Sequence, residues 1–133
     1  MSTRSVIIRK TRRGYEGVYC HSDGYPEYNG FCLANFYKSA ARVKELISLG
    51  DLSSINKRVE TKKPHSFNNR AKGVVVAYHR DRGEKKHMVS GTIKDILSAY
   101  GGIEYVYIFE KGKWSAFDDD MRPVAIPETS RYF

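Results

Sequence analysis

Val6-Ile7-Ile8-Arg9-Lys10, Thr11-Arg12-Arg13-Gly14 and Tyr15-Glu16-Gly17-Val18-Tyr19-Cys20-His21 follow one another near the start of the chain. The first stretch is rich in β-branched residues and predicts a strand. The second is basic and ends in glycine, which suits a hairpin turn, and the third alternates as a returning strand does. A second pair, Glu104 to Glu110 and Trp114 to Phe117, closes across Lys111-Gly112-Lys113. Between the pairs, Ser39 is placed to cap a helix over Ala40 to Leu49, with Val43, Leu46 and Ile47 on one face and Gly50 at its end. Thr92 and Asp95 have the spacing of a capping box ahead of Ile93, Ile96, Leu97 and Tyr100, and Gly101-Gly102 ends that helix. Asn29 to Tyr37 reads as a short helix and Asp51 to Ile55 as one further turn. Gly73 to His79, continuous at Val74-Val75-Val76, reads as a strand in a central position of the sheet, and His87 to Val89 as a short one. The order predicts an α+β fold: a single domain over residues 1–133, with an antiparallel or mixed sheet of about five strands and two main helices packed on one face. Residues 56–72 read as a long basic loop and residues 118–133 as an irregular tail.

The chain has 133 residues, 41% hydrophobic and 29% charged, a composition that folds rather than stays disordered. A core is expected at this size without a metal or disulfide staple. No apolar run approaches a membrane span, and the polar N-terminal residues do not form a signal peptide, so a cytoplasmic protein with no membrane partner is expected. Two cysteines, Cys20 and Cys32, are too few and too far apart for a zinc ribbon or a CxxC pair, and read as buried reduced thiols.

Charge is uneven. The net charge is +8, and residues 1–90 hold 18 basic against 8 acidic residues. Three clusters carry the surplus: Arg9, Lys10, Arg12 and Arg13; Lys57, Arg58, Lys62, Lys63, Arg70 and Lys72; and Arg80, Arg82, Lys85 and Lys86. Such density attracts polyanions and excludes a protein that mimics DNA with an acidic surface. Tyr25 and other tyrosines interleave with the clusters, an arrangement that stacks bases, fills a protein interface or simply packs the core.

Two strand ends offer chemistry. His21 and Asp23 follow the second strand, and Asp23 equally suits an Asx-turn. His79 and Asp81 face one side if that segment is extended. Together the four predict, as an alternative to pure binding, a nuclease site dependent on magnesium or manganese. A charged hairpin tip is the plainer reading of His79 to Glu84. P-loop, GxGxxG, GxSxG and HExxH signatures are absent from the sequence.

Val18-Tyr19-Cys20-His21-Ser22-Asp23-Gly24-Tyr25-Pro26 resembles the VYCHWDGYP motif of a family of small bacteriophage and prophage proteins. The likeness continues through Glu27-Tyr28-Asn29-Gly30 and Leu46 to Ser54, and returns at Tyr105 to Phe109 with Trp114. Ser22 stands where the family usually has Trp. The resemblance implies a setting rather than a residue-by-residue activity: an accessory phage protein in the cytoplasm of the bacterial host, of the kind that counters host defence. The expectation is a non-enzymatic, anti-CRISPR-like inhibitor without cofactor. It would bind a host defence or nucleoprotein complex, or nucleic acid, through its basic surfaces. A sponge for a nucleotide immune signal is a further alternative.

Overall fold

The structure is a computed structural model that describes residues 2–133. In chain order it contains β1 (Ser5–Thr11), β2 (Gly14–Cys20), a π-helical turn (Pro26–Gly30) leading into α1 (Phe31–Phe36), α2 (Ala40–Ile47) and β3 (Leu52–Ser54). There follow β4 (Val76–Ala77), α3 (Tyr78–Arg82), β5 (Val89–Gly91), α4 (Ile93–Ser98), β6 (Tyr105–Glu110), β7 (Lys113–Asp118) and β8 (Pro123–Val124).

The first hairpin pairs as predicted, from Ser5 with Cys20 to Thr11 with Gly14. The other edge of β1 takes β6 in parallel, Ser5 against Tyr105 through Arg9 against Phe109. β7 returns from β6 across Lys111 and Gly112, both at positive φ, and β8 pairs with β7. On the far edge of β2, two short strands share the space. β5 pairs with Tyr15 to Gly17, and β3 pairs in parallel at Cys20. β4 lies outside β3 and forms the sheet's edge.

The α+β class and mixed sheet are as expected, but the sheet has eight strands rather than about five, and its helices are small. β3, β5, β4 and β8 are two or three residues long, too short to show a period. Residues predicted as an extra helical turn after Gly50 are β3. The Val74 to Val76 run is buried without a central position: Val76 and Ala77 pair with β3 at the edge, and Val74 bridges to Arg58 of the 56–72 loop.

The helices also do not share one face. Ile7, Val18, Tyr107 and Phe109 pack with α1 and α2 residues such as Leu33, Val43, Leu46 and Ile47. Val6, Ile8, Val106 and Ile108 point the other way and are covered by Ile96 of α4 with Ile93 and Leu97. A central strand buried on both faces reads as a continuous apolar run, which is what Val6-Ile7-Ile8 is. The local signals hold. Ser39 Oγ accepts the Arg42 N–H, and Thr92 with Asp95 forms the reciprocal capping box. Cys20 and Cys32 are free and buried, and burial pushes the Cys20 thiol up to about 12.

Candidate nucleic-acid interface

The 56–72 loop has no regular structure, yet it is held in place. Arg58 bridges to Val74: its N–H donates to the Gly73 carbonyl, and the Val75 N–H donates to the Arg58 carbonyl at 2.8 Å. Val59 is buried beneath it. Arg80 then acts as a clasp. Its Nη1 donates to the Val59 carbonyl at 2.6 Å, its Nη2 to the Val75 carbonyl at 2.7 Å, and its Nε to Asp81 Oδ1 at 2.9 Å. Asp81 Oδ2 accepts the Ala77 N–H at 2.8 Å. Burial alone would raise the Asp81 carboxyl, but the Arg80 hydrogen bond, the Ala77 N–H and the charges of Arg80 and His65 outweigh it and hold it below the usual carboxylate range.

The second half of the loop rests on the same helix. The Phe67 N–H donates to the Asp81 carbonyl at 3.0 Å. Its ring lies 5.7 Å from the Tyr78 ring, and the guanidinium groups of Arg70 and Arg82 sit over it at 4.8 and 4.3 Å. Arg–aromatic stacking of this kind fixes the cations in position while leaving their edges to solvent. His65 accepts the Ala71 N–H on Nδ1 at 2.9 Å, and its Nε2 lies 3.3 Å from Asp81 Oδ2 without a hydrogen-bond partner.

What this frame presents is positive. Arg58, Lys62, Lys63, Arg70 and Lys72 are exposed. Among the described residues, none of the five has a carboxylate within ion-pair distance. Two adjoining clefts open here, about 260 Å³ beside Lys63, His65, Arg80 and Asp81, and about 460 Å³ beside Arg58, Lys62 and Lys63, with the exposed Glu60 carboxylate on the wall of both. Sequence reasoning misses His65 and Phe67, whose signal is an imidazole and an aromatic ring inside an otherwise polar stretch.

The remaining basic candidates divide. Arg9 is spent on Glu16 at 2.6 Å, Arg80 on the clasp, and Arg82 on Glu84 and Phe67. Lys10 lies over Tyr15 and Lys57 over Phe36. Arg12 and Arg13 are exposed in the hairpin turn, and Lys85 and Lys86 are exposed beyond Gly83. The hairpin turn is at the opposite end of β2 from Cys20, where β3 attaches and beyond it β4 and the loop. The three basic clusters therefore lie on two separate surfaces. Tyr25 is occupied by packing: its hydroxyl donates to Asp23, and its ring meets Tyr28 and Tyr132.

The four residues predicted for a metal-dependent nuclease do not meet. His21 Nδ1 is 2.7 Å from the Tyr19 hydroxyl. Asp23 stands at φ 57 in the turn after β2, and its carbonyl accepts the Asn29 N–H. His79 and Asp81 are not on an extended strand but in the one-turn helix α3, where the Asp81 side chain turns back to Ala77 and Arg80 while His79 bonds the Glu84 carbonyl. Among the described residues, the only group of three His, Cys or acidic residues with ligand atoms close enough to share an ion is Asp118 to Asp120 in the β7–β8 turn. The Val18 to Pro26 motif builds structure instead. The Gly24 N–H donates to the Thr3 carbonyl at 2.8 Å, the Gly24 carbonyl accepts the Tyr107 hydroxyl at 2.6 Å, and buried Asn29 donates to Ser5 Oγ at 3.1 Å.

Among the described residues, no helix is long and apolar enough to cross a membrane. Comparisons with family models, with curated proteins and with solved structures gave no significant match.

Proposed function

We propose that the protein binds nucleic acid, or a host nucleoprotein complex, through the face made by residues 57–72. The setting we propose is that of a phage accessory protein acting against defence in the bacterial cytoplasm. One observation carries the reading: five exposed cations without carboxylate partners lie on a loop that is pinned by Arg80 and Phe67 rather than left free. Ordering before binding lowers the entropy cost of binding, and unpaired cations on a fixed frame suit a phosphate backbone better than a neutral partner. The motif likeness to phage proteins supports the setting.

The test is a mobility-shift series on single- and double-stranded DNA and RNA in EDTA at several salt concentrations. The triple substitution Lys62→Glu, Lys63→Glu, Arg70→Glu is expected to weaken binding and to flatten its salt dependence, by about 0.9 in the log–log slope for each phosphate that the variant no longer neutralises. Unchanged affinity and slope in that variant would remove this face from the reading.

A further inference from the structure

Gly83 ends α3 in the left-handed conformation, at φ 74, and the chain turns back toward β5. The reversal brings two imidazoles, those of His79 and His87, to one cleft of about 140 Å³, with Asp51, Tyr78, Lys85 and Glu84, whose carboxylate pairs with Arg82, also on its walls. Each ring is anchored through Nδ1. His79 Nδ1 lies 2.6 Å from the Glu84 carbonyl oxygen, which can only accept, so the nitrogen donates. His87 Nδ1 lies 2.8 Å from Asp51 Oδ2, and donates likewise. Both neutral rings are thereby held in the tautomer that leaves the Nε2 lone pair free. Asp51 is itself fixed, because its Oδ1 accepts the Tyr19 N–H at 3.0 Å and the Tyr100 hydroxyl at 2.8 Å. Lys85 is exposed and has no carboxylate within ion-pair distance among the described residues.

Two oriented imidazoles beside a cation are the equipment for moving two protons at one phosphodiester. We propose that His79 and His87 form a metal-independent ribonucleolytic site, one as base and the other as acid, with Lys85 facing the phosphate. One Nε2 takes the proton of the ribose 2′-hydroxyl as the 2′ oxygen bonds to phosphorus. The bond from phosphorus to the 5′ oxygen breaks, and the other imidazole, protonated, delivers its proton to that oxygen. The products are a 2′,3′-cyclic phosphate and a 5′-hydroxyl end, with one proton gained and one lost by the protein. Lys85 offsets the charge that builds on the phosphorane oxygens. DNA lacks the nucleophile and is not a substrate. Substrate delivery rests on the proposed loop interface: Tyr78 lines the cleft and meets Phe67, which carries Arg70 and Arg82.

The test uses the protein with His79→Asn and His87→Asn variants, whose amides stand where Nδ1 stood and keep the bonds to Glu84 and Asp51. The substrates are a labelled single-stranded RNA, its all-deoxy counterpart and a dinucleoside monophosphate too short to reach the loop, all in EDTA. Cleavage of both ribose substrates to cyclic phosphate ends is expected, with no cleavage of the deoxy strand. Each substitution should lower the rate by about 100-fold or more and leave the shift of the deoxy strand unchanged. RNA bound but not cleaved would overturn the site and leave the loop reading standing. Equal cleavage by wild type and variants, or dependence on added metal, would also overturn it. Dinucleotide cleavage without retention of any longer strand would support the site and overturn the loop reading.

Discussion

Asp51 stands at a break in the sheet, and the break explains the carboxylate. β5 covers the edge of β2 as far as Gly17 and β3 begins at Cys20, so the Tyr19 N–H between them meets no strand. Asp51 Oδ1 takes that N–H, with the Tyr100 hydroxyl beside it. Asp51→Ala removes the acceptor of these two donors and of His87 Nδ1 and is expected to cost about 2 kcal/mol, read as a lower urea midpoint. His87→Ala, at an exposed ring, should cost less than about 0.5 kcal/mol. Asp81 adds a pH dependence. Its folded carboxyl lies below the ordinary 3.8, so the unfolded chain takes up the proton first as acid is added. The contribution is complete above that ordinary value and is lost as pH falls through the folded one. Urea midpoints should drop as pH falls through and below 3.8, and Asp81→Asn, already lower at neutral pH, should show a shallower fall. Ser39 and Thr92 were legible as caps because each finds its partner three residues on. Asp51 was not, because its partners lie 32 and 49 residues away.

At the scale of elements, α4 covers the second face of the sheet with six residues, of which Ile96 alone is fully buried. Gly17 on β2 makes the close approach possible: a Cβ there would stand 3.0 Å from both Ile8 Cγ1 and Ile96 Cγ2. Ile96→Ala is expected to destabilise by about 3 kcal/mol, measured by thermal or urea unfolding. That α4 lies opposite α2 was not read from the sequence, which predicted both helices on one face, although Val6-Ile7-Ile8 is apolar on both sides. The two-residue β4 was not readable, because the same valines that mark a central strand also pack beneath a loop. What distinguishes the two cases is Arg80, whose hydrogen bonds to the Val59 and Val75 carbonyls tie the loop to the segment entering β4 and which in the sequence is one more surface cation.

For the whole molecule, the net charge of +8 is less informative than its division. The hairpin cations and the loop cations lie toward opposite ends of β2. At physiological salt the screening length is about 8 Å, shorter than a seven-residue strand at about 3.3 Å per residue. Arg12→Glu with Arg13→Glu is therefore expected to change nucleic-acid affinity far less than the loop triple does, in the same titration. An equal loss from both would mean that the ligand spans the two ends.

The parallel pairing of β1 with β6 also sets a timetable. During synthesis the first hairpin leaves the ribosome with the inner edge of β1 bare, because each residue of its partner, Tyr105 to Phe109, follows 100 positions behind the one it pairs with. Contacts so distant along the chain make for slow closure. Until closure, an apolar strand edge is open to chaperones, proteases and other nascent copies. A message broken upstream of Tyr105 would release a fragment that keeps that edge permanently.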